Sequence, residues 1–301
     1  MNDVPRGRII EGAAIARRVD HEAEQGIAEL RRLGRSPHLV AVEVGQNEAT
    51  SVYVRNQKGR LSKQGIQVTH LALDESTTKK ALLTHIQALN ENPTVTGIIL
   101  TMPLPAGLPA FEIQEHIDPR KDVEGVNPTN MGRLIYNRHA VGPCTALAVL
   151  TAIETTGVPI KGKNVVIIGH SDIVGKPVGL CLLQELATIT TCHVATRDLK
   201  KHSLEADILV VAVGKPGIIT ADMVKPGCIV IDVGINRVNG VGIVGDVAFE
   251  EVAPIAGWIT PVPGGIGPIT VAMLARNTLI CARNSVGNEA SDGPAKDKAD
   301  L

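Results

Sequence analysis

The sequence predicts an α/β protein of two domains, the second a doubly wound parallel sheet. Three observations lead there. Between His38 and Leu100, apolar strand-like runs alternate with helical patterns, the rhythm of a parallel sheet. After Pro143 the rhythm recurs more sharply, each strand candidate closing on a glycine or a polar turn. At 301 residues, 44% apolar and 20% charged, the chain has the size for one large or two medium domains and an ordinary globular composition.

The elements follow in order. Residues 11–33 are rich in Ala, Glu, Arg and Leu and read as a helix stopped by Gly34. Residues 38–44 form a strand ending at Gly45, residues 50–64 a helix, and residues 66–73 a strand. Residues 77–89 form a helix capped by Ser76 or Thr77, and residues 95–100 a mostly apolar strand. The second series begins with a helix at 145–156 and a buried strand at 164–168, closed by the turn Gly169–Gly175. A helix at 175–185 and strands at 188–193, 206–213, 228–233 and 257–260 complete the sheet. The loop from Pro261 to Pro268 holds three prolines and three glycines, so it cannot be a regular element. It opens a last helix at 268–283, with Pro268 in a tolerated first-turn position. Residues 284–301 are polar and read as a disordered tail. The domains expected are 1–143, completed by helix 268–283, and 144–267.

Composition excludes several classes of function. A net charge of −1 offers no electrostatic capture of nucleic acid or of an anionic membrane. Phe111, Phe249, Tyr53, Tyr136 and Trp258 are the only aromatics, too few for a base-stacking platform, so the core must be aliphatic. Five widely spaced cysteines without a C-x-x-C pair argue against a disulfide framework or a zinc ribbon and for a reducing compartment. No metal site is expected. Residues 1–12 lack an apolar signal core and no apolar run approaches the roughly 18 to 20 residues that span a bilayer. The expected location is cytoplasmic.

Four segments could carry chemistry. The loop 260–270 can lay bare backbone against a flat ligand, although Gly/Pro clusters are more often tight structural turns. Gly169–Gly175 sits between strand and helix, where a phosphate loop belongs. Its glycines are six apart, and Ser171 stands for the middle glycine of G-x-G-x-x-G, offering an N–H and a hydroxyl to a pyrophosphate. The acid expected about 20 residues on, to grip a ribose 2′-hydroxyl, is missing. His193 and Arg197 stand there instead, with Asp198 beyond them, which favours a 2′-phosphate and hence NADP over NAD unless both are solvated loop residues. Residues 119–125 place Arg120, Lys121, Asp122 and Glu124 before a glycine turn. Tyr53 opens a helical turn that also holds Arg55 and Lys58.

Together these segments resemble one family, the bifunctional methylenetetrahydrofolate dehydrogenase/cyclohydrolases or FolD proteins, over about residues 9–282. The resemblance is carried by Ser51–Val54, Pro103–Pro105, Lys121–Gly125, Asn130 with Gly132 and Arg133, Pro143–Thr145, Gly169–Pro177, Val211–Gly217, Gly234–Asn236, Gly245–Val247 and Thr260–Thr270, in order and at family-like spacing. It implies an N-terminal α/β folate domain, a Rossmann-like nucleotide domain, a homodimer, and one-carbon tetrahydrofolate derivatives as substrates. Tyr53 would stack on the folate, with Asp122, Pro263, Gly264 and Gly265 also at the substrate. Gly169, His170, Ser171, Ile173, Val174, Gly175, Val194, Gly214 and Ile235 would line the cofactor, NADP or NAD.

The departures bear on activity. In the family this chain resembles, cyclohydrolase chemistry relies on a lysine four residues after the tyrosine; here it is Gln57, with Lys58 one residue on. One residue turns a helical side chain by about 100°, so Lys58 should point elsewhere. The family's glutamine two residues before Pro-Leu-Pro is here Thr101, and its second acid in Lys-Asp-Val-Asp-Gly is here Glu124. Pro143–Thr145 continues with Ala146 rather than the usual proline. The candidate catalytic residues are thus Tyr53, Gln57, Thr101 and Glu124. Hydrolysis of a methenyl bridge needs a proton taken from water and one delivered to the leaving ring nitrogen, and a positioned acid or base contributes about 10²–10⁴-fold. Hydride transfer needs only the bridge carbon held against the nicotinamide. The first reading is therefore oxidation of 5,10-methylenetetrahydrofolate to 5,10-methenyltetrahydrofolate, with hydrolysis to 10-formyltetrahydrofolate weakened or lost. The second is a full bifunctional enzyme in which Lys58 or Glu124 substitutes. The third is a catalytically silent folate- or nucleotide-binding protein, which a cofactor-reduction assay separates from the others.

Overall fold

The computed structural model describes residues 8–45 and 57–285. The chain runs β1 (Arg8–Ile9), α1 (Gly12–Arg32), β2 (His38–Val44), α2 (described over 57–63), β3 (Gln67–Leu73), α3 (Lys79–Glu91), β4 (Gly97–Leu100), α4 (Ala110–Gln114) and α5 (Pro128–Ile135). It continues α6 (Cys144–Glu154), β5 (Asn164–Ile168), α7 (Gly175–Gln184), β6 (Thr188–Cys192), α8 (Leu199–Leu204), β7 (Ile208–Val211) and β8 (Ile229–Asp232). A hairpin of β9 (Asn236–Val238) and β10 (Gly242–Val244), then α9 (Phe249–Val252), β11 (Trp258–Ile259) and α10 (Ile266–Asn284), complete it. Two compact units result, Val19–Gly142 with Leu274–Leu301, and Met1–Arg18 with Pro143–Met273.

The unit holding Val19–Gly142 is built on a parallel sheet of order β3-β2-β4. One face of β2, Val40, Val42 and Val44, packs with Ile98 and Leu100 against Leu82 and Ile86 of α3. Removing such a side chain, as in Leu82→Ala, typically costs about 2–5 kcal/mol. Helix α1 ends at Gly34, whose φ of 74° lets the Arg35 amide reach the Leu30 carbonyl. Helix α3 begins one to two residues later than the sequence predicts, because Thr78, not Ser76 or Thr77, accepts from the Ala81 amide. Thr77 and Ser76 are instead held by Asp74, Ser76 by its carboxylate and Thr77 by its carbonyl.

The other unit is a six-stranded, wholly parallel sheet of order β1-β11-β8-β7-β5-β6. The chain turns one way from β5 to β6 and the other way to β7, so the crevice beyond the carboxyl ends of β5 and β7 is the topological switch point. The core is aliphatic: Val166, Ile168, Leu209, Val211, Val230 and Ile259 are all buried. Phe111 and Tyr136 are exposed, and no aromatic ring among the described residues is fully buried. The sequence hides two features. Two residues of β1 extend the sheet by pairing with β11, with Arg8 over the Trp258 ring. The strand read at 228–233 stops at Asp232, and the chain then folds into the β9–β10 hairpin. Asn284 closes α10, and the remainder of the expected tail lies, after Ser285, outside the described residues.

Candidate active site

In the nucleotide-type unit the site grows from the ends of β5, β7 and β8. Gly169 follows β5 with φ 120°, and a Cβ there would lie 2.2 Å from the Ala212 carbonyl oxygen beyond β7. Gly175 begins α7 so close beneath the turn that a Cβ would lie 2.2 Å from the Gly169 oxygen. The turn is thus fixed by backbone against backbone, with His170, Ser171 and Asp172 exposed above it. The Gly175 amide reaches the Ser171 hydroxyl at 3.4 Å, and Lys176 pairs with Asp172. The ten-residue α7 places its positive dipole end beneath the turn, the arrangement that favours a pyrophosphate, while its own first amides are taken up by Ser171: Gly175 donates to the hydroxyl and Lys176 to the carbonyl, and Pro177 has none. Ile173, Val194 and Ile235 are exposed apolar side chains, Val194 almost fully so, as a cradle for flat rings requires. A nicotinamide dinucleotide fits these residues.

Two carboxylates that sequence reading did not single out hold this end of the sheet in shape. Asp246, fully buried, accepts from the Val213 and Gly214 amides at 2.7 and 2.9 Å and from the Asn236 side chain at 2.8 Å. Asp232, at the end of β8, accepts from the amides of Gly234, Asp246 and Val247. Burial pushes the Asp232 carboxyl up to about 6 against those hydrogen bonds. The Thr260 hydroxyl donates to the Asp232 carbonyl and accepts from its amide, tying the 260–265 loop to β8. Gly214 and Ile235, two of the expected cofactor residues, therefore flank one buried network. Only the acid of Gly245–Val247 hinted at it, and nothing in the sequence gave its partners.

The loop covers only 260–265: α10 begins at Ile266, two residues earlier than the composition predicts, with Gly267 and Pro268 in its first turn. The Val262–Pro263 bond is cis, Gly264 has φ 109°, its carbonyl accepts from the Gly12 amide, and the Gly265 amide bonds the Pro261 carbonyl. Pro263, Gly264 and Gly265 line a cavity of about 210 Å³ with Asp232, Gly234 and Ile235. The expected substrate loop and part of the expected cofactor set thus share one cavity.

In the unit holding Val19–Gly142, Tyr53 lies outside the described residues. Helix α2 follows as a buried–exposed pattern: Gln57, Leu61 and Gln64 face inward, while Lys58 is exposed. Thr101 is buried, its amide and its hydroxyl both donating to the Val42 carbonyl at 2.9 Å. That hydroxyl's proton is already committed, so it offers a ligand only acceptor lone pairs. Asp122 is buried and accepts from the Gly125 and Asn127 amides and from Asn130. Its carboxylate shapes the 122–130 turn. Lys121 donates to the carbonyls of Leu89, Asn90 and Asn92 at the end of α3, and Arg120 pairs with Asp118. Of the four charges in this segment, Glu124 remains for chemistry. The residue is only half-buried, yet burial first, then the charge of Asp122, push its carboxyl up to about 8.

That shift has a stability consequence. A carboxyl raised in the folded chain keeps its proton where the unfolded chain has lost it, so its contribution is intact below about 4.5 and falls as pH rises toward about 8. Asp232 acts in the same sense up to about 6. Thermal denaturation across pH 5–8 should show declining stability, and Glu124→Gln should flatten the decline above pH 6. Parallel curves for parent and variant would contradict the raised carboxyl.

A doubly wound sheet with a glycine turn at its switch point defines a dinucleotide-binding protein, here joined to an α/β unit with a three-stranded sheet. Comparison with known proteins narrows that class. The family model for the tetrahydrofolate dehydrogenase/cyclohydrolase catalytic domain matches residues 10–124, and the model for the NAD(P)-binding domain of the same family matches residues 143–286. The bifunctional protein FolD of Rhodobacter capsulatus is 46% identical over 286 residues, covering 93% of this chain and 94% of its own. The solved FolD methylenetetrahydrofolate dehydrogenase/cyclohydrolase of Campylobacter jejuni superposes with a TM-score of 0.90 at 39% identity, covering 92% of this chain and 98% of its own. The Trypanosoma brucei methylenetetrahydrofolate dehydrogenase-cyclohydrolase, solved with NADP and an inhibitor, gives 0.89 at 36%, covering 94% and 99%. The chain belongs to the FolD family of tetrahydrofolate dehydrogenase/cyclohydrolases. No helix among the described residues is long and apolar enough to cross a membrane.

Proposed function

We propose that this chain oxidises 5,10-methylenetetrahydrofolate to 5,10-methenyltetrahydrofolate with NADP, and hydrolyses the product to 10-formyltetrahydrofolate more slowly than it forms it. It would act as a cytoplasmic homodimer. Family membership and the glycine turn over α7 support the oxidation. The observation that carries the slow hydrolysis is the pattern of α2, Gln57 inward and Lys58 outward.

In this reading Tyr53, Asp122, Pro263, Gly264 and Gly265 hold the folate. Gly169, His170, Ser171, Ile173, Val174, Gly175, Val194, Gly214 and Ile235 hold the dinucleotide. When bound, NADP supplies the hydride acceptor. The chain contributes position: the rigid 261–265 loop fixes one wall and the α7 turn fixes the phosphates. For hydrolysis, Gln57 orients by hydrogen bonds and cannot titrate, and Thr101 has no proton to give. Glu124 keeps its proton to about pH 8, so it serves as an acid toward the leaving nitrogen. The test is to assay methylene oxidation and methenyl hydrolysis separately on one preparation.

NADP is preferred over NAD because no acid is available at the end of β6. Asp198 is the nearest, and its carboxylate caps α8 through the Lys201 amide at 3.1 Å. His170 and His193 stand at the ends of β5 and β6 with ring centroids 5.2 Å apart, donors for a 2′-phosphate. Binding titrations should give NADPH a Kd at least tenfold below that of NADH, the yield of one charge-assisted hydrogen bond of about 1.5–3 kcal/mol. Equal affinities would contradict the preference. Ser171→Trp should weaken both cofactors, and unchanged affinity would misplace the phosphate site.

A further inference from the structure

The family-pattern positions for hydrolysis leave this chain without a group that takes the proton from water. A buried carboxylate stands on the same sheet face. Glu43, on the central strand β2, is 3% exposed, and its Oε2 meets His70 Nε2 of β3 at 2.6 Å. The His70 side chain is 30% exposed, so the pair joins the interior to solvent.

Register and handedness place this pair beside the expected site. β2 pairs with β4 from Leu39↔Gly97 to Val42↔Leu100, and the ladder runs one residue further through the Thr101 amide and the Val42 carbonyl. Continued by that residue, Glu43 lies opposite Thr101, and paired residues of adjacent strands, which run about 4.8 Å apart, point to one face. Val40, Val42 and Val44 point to α3, so Glu43 points to the other face. β3 and β4 lie on opposite sides of β2, so right-handed crossovers put α2 and α3 on opposite faces. Helix α2 therefore covers the face of Glu43, and Gln57 is the first of its described residues.

We infer that Glu43 and His70 form the proton-accepting route for the hydrolysis that this enzyme retains. The inference rests on the folate assignment above. Water oxygen bonds to the bridge carbon, the C=N π pair returns to nitrogen, and a water proton passes to Glu43. As the carbinol O–H becomes the formyl C=O, the C–N5 bond breaks, and Glu124 protonates N5 and recovers a proton from the carbinol. One proton is left over per turnover, and it leaves through His70 to solvent. No oxidant or further reactant is needed.

The experiment supplies 5,10-methenyltetrahydrofolate directly and reads hydrolysis, with methylene oxidation read on the same preparations. Glu43→Gln and His70→Ala should each lower the ratio of hydrolysis to oxidation at least tenfold, and added imidazole should restore it in His70→Ala. His70 lies half-exposed on an edge strand, so its variant decides the matter if Glu43→Gln does not fold. An unchanged ratio, equal losses of both reactions, or no hydrolysis above the uncatalysed rate in the parent overturns the route. Absent oxidation in the parent would instead sink the dehydrogenase assignment, and the direct hydrolysis readout still judges Glu43 and His70.

Discussion

Gly175→Ala should raise the Kd for NADPH by roughly a hundredfold. The added methyl would sit 2.2 Å from the Gly169 oxygen and 2.9 Å from the His170 Cα, both backbone atoms, so either the turn or the start of α7 must move. Gly169 cannot yield toward β7, because the Ala212 carbonyl already closes that side. A displaced turn loses the aim of its amides at the phosphates. Two charge-assisted hydrogen bonds lost at about 1.5–3 kcal/mol each correspond to about 10²-fold or more. The β5–β7 sheet lies beneath the turn, so the melting temperature should fall by only a few degrees. Tight NADPH binding in a folded variant would mean that the phosphates lie elsewhere.

The sequence carried the parallel sheets because their signals are local. Val165–Ile168, Ile208–Val213 and Cys228–Ile231 are continuous apolar runs, each with a glycine at one end, and a strand buried on both faces must read that way. The glycine turn and the Pro/Gly loop were legible for the same reason, each being a backbone constraint written in consecutive residues. Two-residue β1 was not legible, since its partner β11 lies some 250 residues on and only tertiary pairing makes it a strand. The β9–β10 hairpin was missed because the apolar run before it ends in Gly234 and its own strands are three residues each. Within the site, sequence separated Gln57 from Lys58 by helical geometry alone. It could not tell that Lys121 serves the end of α3, that Asp122 shapes a turn, or that Asp232 and Asp246 hold the strand ends. The roles of Lys121, Asp232 and Asp246 depend on partners distant in the chain, as does the meeting of Glu43 with His70, and that of Asp122 on how the 122–130 turn closes on its carboxylate.

Gln57→Lys should raise methenyl hydrolysis by about 10²-fold or more, the contribution of one positioned acid–base group. The position is inward-facing on α2, on the same helical face as Leu61 and Gln64, so an amine there points inward rather than to solvent. Lys58→Ala should leave the hydrolysis-to-oxidation ratio untouched, since Lys58 is exposed. A ratio that collapses in Lys58→Ala would instead identify Lys58 as the surrogate base. No gain in Gln57→Lys would mean that Thr101 and Glu124 have reshaped the site beyond repair by one lysine.

The most direct test of the account is the ratio of the two rates in the parent protein. Methylene oxidation is followed by NADPH formation and methenyl hydrolysis by loss of the methenyl absorbance, under one set of conditions. The account predicts hydrolysis at least tenfold slower, so that methenyltetrahydrofolate accumulates during oxidation. Hydrolysis that keeps pace with oxidation, leaving no methenyl intermediate, would contradict it.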